Sequence, residues 1–494
     1  MKYYCIALLL MLGTTVSLAQ RDTLRLSLDE TILLAQKDAP DVQITQTAFN
    51  NDYWRYKSFQ ANYRPLINLD ATIPLLNRTI EAITLPNGND AFISRSLMRN
   101  SLDLSVSQGI TLTGGRIFVS TGLERLDIFK TSTNDGLINY LSNPIRIGFS
   151  QPVFGFNALR WDKIIEPMSY EESRREYSEG MEEVALNSAA LFFDVLIAQL
   201  NYEAAIRDKA NADTLYAISK GRYEVGRIAE VELLQIELNA MRADADLGSS
   251  QLAQQTATER LRNFLGIREA IAFDLITPDE IPNFLIDAQE ALDYALRNRS
   301  DVIQLDRQLQ QASMEVAQAK AQRGFSANIF GSFGLSQTGK SLSDAFTDPL
   351  DQEFFQIGLS VPIADWGKSK AVMEIARSNE ELTRLQVSQE RVNFERDILV
   401  KVQQFDQVRS QVQLAQRTYE VAQKRLSITR ERYKIGNILV TDLNLAIQEE
   451  ASARRGYVSA LQAFWLAYYE LRRLTLHDFA TGTSLTKNPE NSLR

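Results

Sequence analysis

Arg432-Tyr433-Lys434-Ile435-Gly436 is the pivot of a stretch that runs from Trp366 to Leu474. Before it, apolar or small residues recur at Phe405, Val408, Val412, Ala415, Tyr419, Ala422, Leu426, Thr429 and Tyr433. The steps alternate three and four without a slip, which is a heptad seam. No Pro or Gly interrupts Lys368 to Ile435, so one helix of about 100 Å is expected at about 1.5 Å per residue. After Gly436 the seam resumes at Leu439, Leu443, Ala446, Glu450, Ala453, Tyr457, Ala460, Phe464, Ala467, Leu471 and Leu474. Gly436 suits a left-handed cap that ends the first helix, and Thr441-Asp442 lies near the start of the next. The stretch predicts an antiparallel helical hairpin.

The same device occurs once more. Arg222-Tyr223-Glu224-Val225-Gly226 matches the pivot at an offset of 210 residues (226 to 436), and Pro152 and Pro362 keep that offset. Shifting the seam back by 210 gives Phe192, Val195, Ala198, Tyr202, Ala205, Lys209, Ala212, Tyr216, Ser219 and Tyr223. An internal duplication is therefore the first organising fact. Ser27-Leu28-Asp29-Glu30 is a capping box opening a helix, and Asp287-Ala288-Gln289-Glu290 repeats it at an offset of 260. Each half is expected to begin with a short helix, a break and a longer helix, roughly 41–61 and 301–322. The fall from 260 to 210 leaves 50 extra residues in the first half, between Asp41 and Pro152.

Composition narrows the function. The 494 residues carry a net charge of −9, which disfavours nucleic acid as partner, since phosphate binding needs a cationic surface. Cys5 is the only cysteine and His477 the only histidine. No disulfide, thiolate metal site or histidine-rich metal site is expected, and no cofactor. No nucleophile–base pair or phosphate loop appears, so an enzyme is not expected.

Met1 to Ala19 reads as a secretory signal, with Lys2, the apolar core Ile6–Leu12, and Ser17-Leu18-Ala19 before cleavage. The organisation expected is a signal peptide at 1–19, a first repeat over 20–276, a second repeat over 277–474 and a loose polar tail over 475–494. Strand-like segments follow the early helices at Tyr63–Ile73, Ile145–Val153, Phe325–Leu335 and Phe354–Val361. Each is about 9–11 residues, the length that crosses a bilayer as a tilted strand. The mature chain shows no apolar run near 20 residues, which points to a barrel and not a spanning helix. The extra residues hold Leu102–Leu112, a Thr113-Gly114-Gly115 turn and Ile117–Phe129, a further hairpin that could plug, decorate or widen a barrel. The first long helix is expected from Trp161 to Tyr223, with Glu166-Pro167 a kink or late start, and the next from Ile228 to Leu265. Two strand pairs per chain cannot close a barrel, and an open edge is not tolerated in lipid. Three copies would supply 12 strands, with the helices forming a hollow cylinder and Gln403, Gln404, Gln407, Gln411, Gln413 and Gln416 offering polar faces.

The duplicated helix–strand–strand–helix plan, the two Tyr-x-x-Gly tips, and the Gln151-Pro152 and Val361-Pro362 strand ends resemble the TolC-like outer-membrane factor family. The resemblance covers nearly all of the mature chain. It implies a mixed membrane α+β fold: a trimeric outer-membrane β-barrel, four strands per chain, continued by a long antiparallel coiled-coil tunnel through the periplasm. It implies a passive exit duct for tripartite efflux or type I secretion. The partners would be a periplasmic adaptor (membrane fusion) protein, an inner-membrane transporter and outer-membrane lipid. The adaptor would dock on the tips, here Tyr223, Val225, Gly226 and Arg227, and Tyr433, Ile435, Gly436 and Asn437.

In that family an acidic ring closes the periplasmic end. Asp442 stands at the matching position, and Leu445 stands where a second acid would be, so the resemblance implies one carboxylate ring beside a hydrophobic ring. Glu230 and Glu232 are the gate candidates of the first half. The plainer reading of Asp442 is a first-turn acid favoured by the helix dipole. The alternative overall reading is a secreted coiled-coil scaffold without a pore, which explains the heptads but not the paired bilayer-length strands. The cargo, whether drug, metal or protein, is open.

Overall fold

The computed structural model describes residues 23–84, 88–130, 135–269, 271–278, 281–435, 437 and 440–490. The signal sequence expected at 1–19 and the pivot Gly436 lie outside the described residues. In chain order the elements are β1 (Thr23–Leu26), α1 (Leu28–Asp38), α2 (Pro40–Ala61), β2 (Leu66–Thr84), β3 (Asp90–Ile110), β4 (Gly115–Ile128), β5 (Leu137–Val153), α3 (Ala158–Glu224), α4 (Glu230–Phe264) and β6 (Ala272–Leu275). They continue with α5 (Ala288–Asn298), α6 (Ser300–Arg323), β7 (Ser326–Gly339), β8 (Leu350–Ser360), α7 (Lys368–Lys434), α8 (Val440–Thr475), β9 (His477–Asp478) and β10 (Thr483–Ser484). The helices recur in order and length: α1 and α5 have 11 residues each, and α3 and α7 have 67 each. The chain folds into two compact units, and each draws on both repeats. Of the described residues, a helical unit comprises those from Thr23 to Gln46, Ser178–Ala295 and Ile398–Thr486; a sheet-bearing unit comprises Thr47–Tyr177, Leu296–Asp397 and those from Lys487 to Glu490.

In the helical unit, α1 opens with the expected capping box. Glu30 N–H donates to Ser27 Oγ at 3.3 Å, and Ser27 N–H donates to Glu30 Oε2 at 2.8 Å. Before α5, Asp287 Oδ1 accepts the N–H groups of Gln289 and Glu290, each at 2.9 Å. Each cap satisfies donors that the first helical turn leaves without partners. The heptad reading holds along α7. Phe405 and Val412 are buried, Val408, Ala415, Tyr419, Ala422, Leu426 and Thr429 are half-buried, and the six glutamines from Gln403 to Gln416 are exposed. Opposite them, Phe464, Leu461 and Leu471 of α8 are fully buried. Phe405 lies 5.2 Å from Phe464 and 5.6 Å from Phe284, ring centre to ring centre. Each large apolar side chain buried this way contributes about 1.5–3 kcal/mol.

One sequence expectation fails in α3. The helix contains an 18-residue window long and apolar enough to cross a membrane, and half of that window is buried inside the chain. Phe192, Phe193 and Val195 lie at zero exposure in the helical core, and a core helix shows the same apolarity as a membrane span. α3 also begins at Ala158 and runs on past Pro167, where a late start was one of the two readings.

Two further elements were not read from the sequence. β1 pairs in parallel with β6, Thr23 opposite Ala272 through Leu26 opposite Leu275. The segment after Thr475 is not loose. Leu476, His477 and Asp478 are buried, and β9 pairs with β10. Its polar groups are matched: the Tyr468 hydroxyl donates to Asp478 Oδ1, Arg472 Nη1 lies 3.5 Å from Asp478 Oδ2, and the His477 ring stacks on Tyr294 at 3.9 Å.

Both residues tie stability to pH. Burial pushes the Asp478 carboxyl up, but the Tyr468 hydroxyl, the Arg472 guanidinium and the N–H groups of Ala480 and Thr481 hold it below its ordinary value. Burial lowers the His477 imidazole, against the opposing pull of Glu290 and Asp478. Both groups have folded values below their unfolded ones, so their contribution is present above the unfolded value and is lost as pH falls through the folded one. The unfolding midpoint is expected to drop first below about pH 6.5, as His477 charges, and again below about pH 4. Unfolding curves at pH 8, 5.5 and 3.5 test this; a His477→Phe variant that keeps the first drop excludes His477 as its source.

The sheet-bearing unit holds one antiparallel sheet in the order β2-β3-β4-β5-β7-β8. The expectation of four strands per chain is corrected to six, because the extra hairpin joins the sheet as β3 and β4. Apart from β8, with 11 residues, the strands are also longer than expected, from 14 residues in β4 and β7 to 21 in β3. The reason lies in the register. One transverse row runs Ile67, Val106, Val119, Ile147, Phe333 and Glu353, all exposed and apolar as far as its charged end on β8. The next row, on the opposite face, runs Asn68, Ser105, Ser120, Arg146, Gly334 and Gln352. β3 and β4 thus alternate in phase with their neighbours, so ladder pairing and side-chain facing agree. In this unit α2 and α3 share aromatic contacts, with Tyr56 stacked on Tyr170 at 4.4 Å, and Arg307 of α6 forms a two-point pair with Glu172 of α3 at 2.6 and 3.0 Å.

Candidate functional site

Apart from Gly436, which lies outside the described residues, the site residues expected from the sequence fall in the helical unit, in two groups, one per helical hairpin. At the first, Gly226 has φ of +73°. Its N–H donates to Tyr223 O at 2.8 Å, and Arg227 N–H donates to Arg222 O at 2.8 Å. These two bonds form a Schellman cap that satisfies carbonyls at the end of α3 and reverses the chain. A Cβ added at Gly226 would meet nothing within 4 Å, so the glycine is required by its backbone angle and not by space. At the second hairpin, Asn437 N–H donates to Arg432 O at 3.0 Å, the counterpart of the Arg227 bond at the same offset of 210 residues. Both turns present apolar side chains to solvent: Val225 is 68% exposed and Ile435 70%, while Tyr223, Tyr433, Arg227 and Asn437 are also exposed.

The expected gate residues are exposed as well. Glu230 and Glu232 occupy the first turn of α4, and Asp442 the first turn of α8, where the helix dipole favours a carboxylate. Asp442 and Leu445 are three apart on α8 and share a helix face, while Ala446 is buried. The structure therefore places an acid and an apolar group side by side, both facing outward from the single chain. Among the described residues no group of three or more His, Cys, Asp or Glu side chains is placed to hold a metal ion.

Two features of the tips escaped the sequence reading. Val231, Leu234, Leu238 and Met241 form an exposed apolar line on α4, and Leu414, Val421 and Ile428 another on α7 that Ile435 continues just past its end. The second set recurs every seven residues in the sequence, in parallel with the inward seam. Lys209, the one charge in the shifted seam, is matched by Asp213 on its own helix and by Asp244 of α4 at 3.6 Å. The hydrogen bond that Lys209 donates to Asp213 is the main reason its ammonium is held above its ordinary value.

The model of the outer membrane efflux protein family matches residues 128–267 and 291–475. The chain belongs to that family. Comparison with curated proteins finds no match. Among solved structures, the fold is similar to the CmeC outer membrane channel of Campylobacter jejuni, with a TM-score of 0.64 and 16% identity over 94% of this chain and 88% of that one. It is similar to the outer membrane protein VceC of Vibrio cholerae, at 0.57 and 14% over 93% and 96%. It is also similar to the open state of the Neisseria gonorrhoeae MtrE outer membrane channel, at 0.56 and 16% over 93% and 91%. The outer membrane efflux proteins are a family of channels and not of enzymes. Membership makes this chain a TolC-like efflux channel of the outer membrane.

Proposed function

We propose that the chain is one subunit of a homotrimeric, passive exit duct that spans the periplasm and the outer membrane. An inner-membrane transporter supplies the energy, in a tripartite efflux or type I secretion system, and a periplasmic adaptor docks on the two helix tips. The observation that carries this reading is the sheet. It has one largely apolar exposed face, one polar face, and two edge strands, β2 and β8, that have no second ladder partner among the described residues. Bare edges are not tolerated in lipid, so further copies must cover them. The uncovered apolar lines on α4 and α7 make the same demand in the helical unit. A pore-free scaffold has no use for a sheet with an apolar outer face.

The duct is gated at the tips. Three copies of Asp442 around the axis form a carboxylate ring, with Leu445 as a hydrophobic ring behind it and Glu230 and Glu232 supplying further charge. Like charges at a narrow point attract cations and respond to pH. Asp442→Asn removes three charges, and block of the conductance by a trivalent cation in planar bilayers is expected to weaken at least about tenfold. Unchanged block removes Asp442 from the gate. The duct itself is tested by imaging the detergent-extracted particle. A threefold hollow cylinder supports it, and a particle soluble without detergent overturns it.

A further inference from the structure

The edges of the sheet carry more than a demand for partners. β2 is exposed at every residue from Leu66 to Arg78, and β8 at all 11 of its residues, whereas β3, β4, β5 and β7 each include buried positions. Five successive antiparallel junctions separate β2 from β8, so the two edges run in opposite directions. A copy placed beside the sheet therefore meets β2 with its own β8 antiparallel, the arrangement a closed barrel of even strand number requires. The shorter edge sets the height of the junction. Eleven residues, rising about 3.4 Å each and tilted about 40°, span about 28 Å, close to the hydrocarbon thickness of about 30 Å.

Resting on the trimeric-duct reading, we propose that the three sheets close edge to edge into a barrel of 18 strands, three copies of six, with β3 and β4 as staves of its wall. The extra hairpin does not plug the pore. Leu102, Leu104 and Val106 of β3 and Ile117 and Val119 of β4 are exposed on the same face as Ile67, Leu69, Ile147 and Phe149. That face meets lipid. The row Asn68, Ser105, Ser120, Arg146 and Gln352 faces the lumen, and Phe118, Phe330 and Phe354 form an aromatic cluster on the same side, with neighbouring rings 5.9 and 5.7 Å apart.

Width follows from strand number. At a strand spacing of about 4.8 Å and a tilt of about 40°, 18 strands give a backbone diameter of about 36 Å, against about 24 Å for 12. Removing about 5 Å of side chain from each wall leaves about 26 Å and about 14 Å. The narrower lumen admits a single helix, about 10–12 Å across; the wider one admits polypeptide that keeps helical hairpins, or hydrated polymers. The outer-membrane part is thus built for cargo of larger cross-section than a single helix.

The test pairs cysteines across the proposed junction in the full chain. Cys5 is the only native cysteine, so a Cys5→Ser background is free of other thiols. Asn68→Cys and Asp70→Cys on β2 are each combined with Gln352→Cys or Gln356→Cys on β8. At least one oxidised pair is expected to run as a covalent trimer, with every single-cysteine variant remaining a monomer on denaturing gels. Electron microscopy of the unmodified particle is expected to show a threefold ring of 18 strands, about 36 Å across. A threefold ring of 12 strands about 24 Å across, with β3 and β4 outside the wall, overturns this inference and leaves the duct standing. Absence of any threefold ring overturns the duct itself.

Discussion

Arg472→Ala is expected to lower the unfolding free energy of the helical unit by about 3–5 kcal/mol, the cost of removing one partner from a buried ion pair. Arg472 holds Glu182 with two hydrogen bonds, Nε to Oε2 at 2.9 Å and Nη2 to Oε1 at 3.3 Å, and it also faces Asp478 at 3.5 Å. Glu182 is only 1% exposed. Truncating the arginine leaves that carboxylate charged, dry and without its cation, and it loosens the buried β9 turn as well. The size of the effect comes from burial and not from the ion pair as such. Arg25 and Asp274 form a pair at 3.7 Å with both side chains largely exposed, and for such pairs about 0–1 kcal/mol is usual. Arg25→Ala is therefore the internal control and should unfold within experimental error of the parent. Denaturant unfolding followed by far-ultraviolet circular dichroism, at one protein concentration, measures all three. Adding Glu182→Gln to Arg472→Ala should recover at least half of the loss, because the stranded charge is gone. A loss below about 1 kcal/mol for Arg472→Ala would show that water reaches Glu182.

The physics that makes Arg472 matter also explains why it was not legible in the sequence. Glu182 and Arg472 are 290 residues apart, and neither stands in a periodic pattern that marks it as buried. The tail after Thr475 reads as polar because His477, Asp478 and Thr481 are polar letters; only the fold shows Tyr468, Arg472 and Tyr294 waiting for them. The long helices were legible because heptad spacing is local and repeats many times, from Phe405 to Tyr433. The tips were legible because a left-handed angle needs glycine, and Gly226 stands at +73° where the Tyr-x-x-Gly pattern put it. The hairpin at 102–129 was visible as two strands and a turn, but its place in the sheet was not. Register is a relation between Asp103 and Gly122, or Ser120 and Arg146, and one chain read in order does not display it. The exposed lines on α4 and α7 lie between these cases: periodic, and yet meaningful only once the inward seam is known to be filled.

Gly226→Val is expected to abolish efflux while leaving the fold in place. Valine carries a β-branched side chain into the left-handed region, which costs about 1–2 kcal/mol and is rarely tolerated for such residues. The open space around Gly226 offers no clash to relieve, so the hairpin can escape only by changing its backbone. That breaks the bonds from Gly226 N–H to Tyr223 O and from Arg227 N–H to Arg222 O, and it moves Val225 and Arg227 away from their present positions. The turn is exposed and far in sequence from the buried cluster at Phe192 and Phe193, so the penalty stays local. Co-purification with the adaptor should fall at least about tenfold, which needs only about 1.4 kcal/mol of lost docking energy. Gly226→Asn separates shape from side chain, since asparagine accepts the left-handed conformation at helix ends. It should keep adaptor capture within about threefold of the parent, a difference below about 0.7 kcal/mol. If valine captures the adaptor as well as glycine does, the cap only ends a helix and the docking surface lies elsewhere. If asparagine fails together with valine, the surface needs bare backbone at this position, and the adaptor approaches the tip closely enough to touch the Cα of residue 226.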